Sequence, residues 1–208
     1  MKTPYDNADK ELVKIFQKIK SEFNKHRLRM QTFDEINILS AKKETNKLFS
    51  KLKNINKNFY LEFAQKAYSE ACDAYGYGNK EVINAEWLAL YLSEVNEVTG
   101  YSYSNELKRK KERFFEGLTA SLYKQEELMP FYKKSVNFWK RQTEQFEINV
   151  INRARTQAFT DNGIEKVVWN TNIDGKECET CHKRNGQIFS INNIPSTHYY
   201  CRCFLTPL

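Results

Sequence analysis

The sequence is poor in residues that interrupt helices and in residues that build catalytic sites. Glycine occurs 7 times and proline 4 times in 208 residues, so long uninterrupted helices are the expected structure. The chain has 3 histidines and no cluster of histidine with acidic residues that could act as general acid and base. We therefore expect a structural or binding protein and not an enzyme.

Long apolar runs are also missing. No stretch of about 18 apolar residues occurs, so no membrane span is expected. The first residues, 1–6, lack the apolar stretch of a signal peptide. We expect synthesis and retention in a reducing cytoplasm until the protein is assembled elsewhere. In that compartment, clustered cysteines favour metal binding over disulfide bonds.

Basic residues are in surplus. Lysine and arginine outnumber aspartate and glutamate, 33 to 26, which gives a formal net charge of +7. The surplus suits an acidic partner, either DNA or an acidic protein surface, although many soluble proteins rich in lysine and asparagine share it. The densest positive region is compatible with salt-sensitive phosphate contacts or with a solvated helix face relieved by nearby glutamates. It comprises Lys108, Arg109, Lys110, Lys111, Arg113, Lys133, Lys134, Lys140 and Arg141.

Residues 1–163 have the apolar periodicity of α-helices. One stripe at helical spacing consists of Leu12, Ile15, Phe16, Ile19 and Phe23. Breaks are expected near 75–80, where two glycines permit a turn, and near 99–104, with Gly100 as the C-cap of the preceding helix. Pro130 fits the first turn of the last long helix, which is expected to end at Asn162-Gly163.

Residues 164–208 follow the pattern of short β-strands. The segments 166–171, 187–190 and 199–205 are rich in β-branched and aromatic residues and predict three strands. So short a segment with so few core residues needs an additional constraint to fold, and a bound metal is one way to provide it.

Four of the five cysteines lie in this segment at spacings typical of a zinc site. Cys178 and Cys181 form a C-x2-C knuckle, which supplies two thiolates from one turn, and zinc binds four N or S ligands in a tetrahedron. The second pair must come from residues 198–203. His198 with Cys201 can supply it at i, i+3, and Cys201 with Cys203 can supply it from one face of a strand. Three residues thus compete for two places, and we prefer His198 and Cys201.

Together these patterns predict an α+β protein with a long, mostly helical N-terminal region, 1–163, and a small zinc-stapled, β-rich C-terminal module, 164–208. The expected zinc ligands are Cys178, Cys181, His198 and Cys201. Because four protein ligands leave no open position for water, we expect a structural Zn²⁺ and not a catalytic one.

The C-terminal residues also follow a longer pattern. An arginine-containing helix end is followed by an Asn-Gly, an aromatic strand, D-x(n)-C-x2-C with a downstream G-x-x-F, and P…H-x-x-C-R-[CS] before a final proline. The stretch from Arg153 to Pro207 thereby resembles the C-terminal domain of the phage Mu protein F-like, or head morphogenesis, family of minor capsid proteins. In that family the last cysteine of the run is often serine, which favours His198 and Cys201 as ligands. Where the family usually has Arg-Thr-Glu, this chain has Arg155-Thr156-Gln157.

The resemblance implies a minor structural protein of a tailed bacteriophage virion. Such a protein is made in the host cytoplasm and enters the head, near the portal vertex or the inner capsid, with portal and capsid proteins as partners. Some members of the family are thought to meet the packaged DNA. The alternative is a zinc-containing nucleic-acid-binding protein outside the virion, such as a regulator. That alternative needs a recognition helix after the knuckle, where the residues predict strand.

Overall fold

A computed structural model describes residues 3–31, 38–78, 82–95, 100–172, 177–195, 197 and 201–208. The helices before the sheet are α1 (Asp6–Gln31), α2 (Ile38–Ala74), α3 (Ala85–Ser93), α4 (Tyr103–Tyr123) and α5 (Leu128–Asp161). They are followed by β1 (Lys166–Asn170), α6 (Glu179–Arg184), β2 (Ile188–Ser190) and β3 (Phe204–Pro207). The predicted α+β class is confirmed. None of the described helices is both long enough and apolar enough to cross a membrane.

Helices α1, α2, α4 and α5 pack around a core rich in aromatic side chains. The ring of Phe23 lies 5.8 Å from that of Phe114 and 6.5 Å from those of Tyr132 and Trp139, in edge-to-face arrangements. Edge-to-face pairs place the positive ring edge against a negative ring face, which adds to the free energy gained by burying the rings. The apolar stripe of α1 is therefore the face of the helix that packs into this aromatic core.

The helix boundaries agree with the sequence at most positions and differ at one. α2 ends at Ala74, Pro130 lies in the first turn of α5, and α5 ends just before Gly163, whose φ is +75°. The helix expected to continue to Gly100 instead ends at Ser93, and the next residue is extended. Gly100 therefore does not cap α3, although its φ is +68°. Residues 96–99 lie outside the described part of the chain.

The C-terminal strands form a three-stranded antiparallel sheet in the order β2-β1-β3. Trp169 of β1 pairs with Leu205, and Val167 pairs with Phe189 on one side and Pro207 on the other. Val167 and Trp169 are both buried because residues two apart point to the same face of a strand. The third strand begins at Phe204, later than expected, and residues 198–200 are not described.

Side-chain contacts attach the sheet segment to the helices. Val167 and Phe204 belong to the same hydrophobic core as the helical residues. Arg155 of α5 donates to the carbonyl of Leu205 (3.4 Å), and Arg202 forms a 2.8 Å ion pair with Asp9 of α1. The chain end that carries the last two cysteines is thus held against the first and last long helices.

Candidate metal centre

Three cysteine side chains meet in a buried cluster at the edge of the sheet. The sulfurs of Cys181, Cys201 and Cys203 all lie within 4.8 Å of one another, and those of Cys181 and Cys201 are 3.6 Å apart. A tetrahedral zinc with Zn–S bonds of about 2.3 Å needs its sulfurs roughly 3.8 Å apart. The cluster therefore has the dimensions of a thiolate metal site, which we call the cysteine cluster.

The end of β1 positions the cluster. Thr171 donates from its hydroxyl to the carbonyl of Cys181 (2.7 Å), and the same oxygen lies 3.7 Å from the sulfur of Cys203. Trp169 packs against the three cysteines on the other side. Gly186 makes the return turn at φ +78° and donates its N–H to the carbonyl of Trp169 (2.8 Å). A left-handed residue at this turn is accommodated most easily by glycine.

The remaining predicted ligands differ in where they lie. Cys178 is only partly buried and is the N-cap of α6, where its sulfur accepts the N–H of Cys181 at 3.4 Å. It packs against the cluster but is not one of the three mutually close sulfurs. His198 lies outside the described residues. The structure thus brings Cys181 and Cys201 together as expected and adds Cys203, the competing ligand.

The sequence analysis missed the short helix α6. It spans six residues, Glu179–Arg184, begins inside the C-x2-C knuckle and extends past it, into residues that were expected to be strand. The argument against a nucleic-acid-binding role from a missing helix is therefore wrong as stated. A signal for this helix existed, because Glu179 and Lys183 are spaced for the i, i+4 ion pair that they form at 2.7 Å.

The three thiols of the cysteine cluster differ in their pKa values. Hydrogen bonding from the Cys201 thiol is the main cause that lowers the pKa of Cys203 to about 6, whereas burial raises the pKa of Cys181 to about 12. The hydrogen bond to Cys203, with burial, also raises the pKa of Cys201. Without a cation, this buried space therefore favours one thiolate, on Cys203, beside two neutral thiols. A divalent cation removes that limit because it stabilises several adjacent thiolates at once.

Trp169 offers a second sign that the site fits a metal. Its side chain is 2% exposed, and a hydrogen bond from it is one of the causes that lower the pKa of Cys203. Metal-bound thiolates carry more negative charge than thiols, so a nearby sulfur would become a better acceptor for the indole N–H.

Gln157 departs from the family pattern described above, and the structure shows what it does instead. Its amide donates to Asp161 (2.8 Å), one turn further along α5, and Asp161 also accepts the hydroxyl of Tyr68 (2.9 Å). A glutamate at 157 would place two carboxylates on the same helix face, which is unfavourable. The neutral amide of Gln157 avoids this repulsion and donates a hydrogen bond to Asp161.

The fold and the cysteine cluster define a helical protein whose C-terminal sheet is organised around a candidate structural metal site. Residues 100–206, more than half of the chain, match the sequence model of the family described as Phage Mu protein F like protein. The chain belongs to this family. The match includes α4, all of α5 and all of the sheet except Pro207, so it begins well before the motifs that suggested the resemblance. Neither the curated proteins nor the solved structures contain a significant match.

Proposed function

We propose that the protein is a minor structural protein of a tailed bacteriophage head that acts in head morphogenesis. The observation that carries this proposal is the family match over residues 100–206. In this role the helical region contacts the portal or the inner capsid wall, and the protein is located in the virion near the portal vertex. The role is structural, and no catalytic step is assigned to any residue.

The metal is proposed to be a structural Zn²⁺ bound by Cys178, Cys181, Cys201 and Cys203. The close sulfurs of the last three support this set, and Cys178 packs against them. The predicted set with His198 in place of Cys203 is the alternative. With either set, zinc joins the start of α6 to the segment before β3, which the small sheet alone connects weakly.

Contact with packaged DNA is proposed as a secondary, sequence-independent interaction of the basic residues on α4 and α5. Several members of the basic region are already engaged: the Arg109 guanidinium lies 4.1 Å from the ring centre of Tyr101, and Lys110 lies 3.7 Å from Glu106. Lys108, Lys133, Lys134 and Arg141 are exposed. Non-specific phosphate contacts need only such exposed charges.

A gene disruption tests the proposed function. A phage carrying a stop codon early in this gene should give fewer DNA-filled heads, and a plasmid copy of the gene should restore them. Normal numbers of filled, infectious particles without the protein would contradict a role in head assembly.

The specific observation that favours the alternative, a regulator outside the virion, is the helix α6, which begins in the knuckle and extends past it. It has six residues, and the guanidinium of Arg184 lies 5.2 Å from the ring centre of Trp169 within the module. A recognition helix presents several side chains to base edges along a groove, for which so short a helix offers little surface. Tight binding of the purified protein to one DNA sequence over others would favour this alternative.

A further inference from the structure

A groove between α4 and α5 shares no lining residue with the cysteine cluster. It has a volume of about 980 Å³ and an aromatic floor. Its floor is formed by Phe114, Phe131, Phe138 and Trp139. Its rim carries Lys110, Arg113, Lys133, Lys134 and Arg141, and none of the described lining residues is acidic. We call it the α4–α5 groove.

The positive rim is largely unneutralised. Lys110 forms an ion pair with Glu106 at 3.7 Å, but none of the other four basic rim residues forms an ion pair with a described acidic residue. On the other side of α5, a second groove of about 690 Å³ is lined by Lys20, Arg27, Lys133 and Lys140, again without a described acidic residue. Lys133 and Asn137 line both grooves, so the basic residues of the two grooves meet along the N-terminal half of α5.

The ring contacts in the floor distinguish between kinds of partner. Phe138 is 40% exposed, but the Lys110 ammonium lies 3.9 Å from its ring centre and covers one face. Phe131 packs against Phe114 with ring centres 5.0 Å apart and against Tyr132 at 5.5 Å. Nucleobases bind aromatic residues by stacking on a free ring face. One face of Phe138 is covered and Phe131 packs against two neighbouring rings, an arrangement that suits aliphatic and aromatic side chains of a protein better than stacked bases.

The close approach of α4 to α5 keeps this floor in place. A Cβ at Gly117 would lie 2.8 Å from Cε2 of Phe131, so the absence of a side chain there allows the ring to lie against α4. Any larger residue at position 117 must displace the ring. Gly117→Ala is therefore a way to change the floor of the groove without changing its charge.

We propose that the α4–α5 groove binds an acidic, amphipathic helical segment of another head protein. Apolar side chains of that helix at i, i+3 or i+4, and i+7 pack on the aromatic floor, and its carboxylates meet the basic rim. The inference rests on the proposed function, because it takes the partner to be a head component. Beyond that function, it names the surface of this chain that binds the partner and the kind of segment that the partner contributes.

Site-specific cross-linking in assembled particles tests the inference. The photoreactive amino acid p-benzoylphenylalanine replaces Phe138 in the full chain, and a second version carries it in place of Tyr123, which is 60% exposed and does not line the groove. Particles are purified on a gradient, irradiated and analysed by mass spectrometry. We expect position 138, and not position 123, to cross-link to one protein segment rich in aspartate and glutamate with apolar residues at helical spacing.

Other results would overturn it. A cross-link from position 138 to DNA, a cross-link to a segment without acidic residues, or no cross-link in particles that contain the protein would each contradict the docking inference. Absence of the protein from every particle would instead contradict the proposed function, and the docking inference with it. The two failures are therefore distinguishable.

Charge reversal provides a second, independent measurement. Lys134→Glu with Arg141→Glu should lower the number of copies per particle by about tenfold, because two rim charges then repel the acidic segment. Lys18→Glu with Lys53→Glu, at two exposed positions outside the groove, makes the same change in net charge and should leave incorporation unchanged. Circular dichroism checks that both variants keep the helix content of the unmodified protein. Equal incorporation of both pairs would overturn the inference.

Discussion

The hydroxyl of Tyr5 lies 2.9 Å from the backbone carbonyl oxygen of Cys203, although the two residues are 198 positions apart. The side chain of Asn152 completes the contact: its carbonyl oxygen is 2.9 Å from the same hydroxyl, and its amide donates to Cys203 at 3.1 Å. The residue before α1 is thus bonded to a member of the cysteine cluster through α5. Because these groups are shared, docking of α1 and ordering of the cluster stabilise each other.

Tyr5→Phe should therefore weaken both ends of the structure. Removing the hydroxyl leaves the Cys203 carbonyl with its bond from Asn152, so we expect a loss of about 1 kcal/mol in the free energy of unfolding. Urea denaturation measures it. Tyr123→Phe, at an exposed position, is the control and should change little. Equal effects of the two substitutions would show that the Tyr5 contact adds no stability.

The cysteine cluster should hold about one zinc per chain, and its loss should unfold the C-terminal segment, since metal binding and folding are linked at such sites. Cys201→Ser should lose the metal and make residues 164–208 sensitive to protease. Cys72→Ala is the control, because Cys72 is fully buried in the helical core and is not in the cluster. Elemental analysis and limited proteolysis measure the two effects. A Cys201→Ser protein that keeps its zinc would contradict the site.

The fourth ligand can be identified by two further substitutions. If Cys178, Cys181, Cys201 and Cys203 bind the metal, Cys203→Ser should lose most of the zinc and His198→Ala should keep it. The opposite result would support the set predicted from the sequence, with His198 as the ligand. Zinc content after exhaustive dialysis, measured for both variants beside the unmodified protein, decides between them.

Much of the fold could be predicted because it depends on local patterns. Helical periodicity and the Asn-Gly at 162–163 locate α5, and β-branched residues locate β1. The end of α3 could not be predicted, because apolar residues continue past Ser93 while the backbone of Glu94 is already extended. α6 is too short to show periodicity, and its N-cap is a cysteine, which is not among the usual capping residues.

The site was predictable only in part for a related reason. Cysteine spacing placed Cys181 and Cys201 together, but it left Cys203 and His198 as competing ligands, because spacing alone does not show which side chain turns toward the other sulfurs. Contacts between residues far apart in the sequence could not be predicted either. His26 has basic sequence neighbours, yet it is buried and paired with the hydroxyl of Tyr132, and burial lowers its pKa to about 4.

Glu147 predicts a dependence of stability on pH. It is 1% exposed, and burial, followed by repulsion from Asp9, raises its pKa to about 8. Between the ordinary value of 4.5 and 8, the folded state keeps a proton that the unfolded state releases, so stability falls as pH rises through this window. Glu147→Gln should remove that loss.

The free energy of unfolding of Glu147→Gln, relative to that of the unmodified protein, should therefore increase from pH 6 to pH 8.5. The increase should reach on the order of 2–4 kcal/mol. Denaturation in this range avoids the acidic conditions under which thiolate ligands are protonated and release metal. Glu116→Gln, at an exposed position, is the matched control and should show no such growth. A constant difference across the range would mean that Glu147 is ionised in the folded protein.

Quantitative mass spectrometry of gradient-purified particles tests the central claim, that this chain is a component of a phage head. We expect the protein in virions or procapsids at a few copies per particle, retained after washing in high salt. A deletion of residues 164–208 should reduce that number, since the family match includes this segment. Absence of the full chain from every particle form, together with tight sequence-specific DNA binding by the free protein, would contradict the account and favour a regulator.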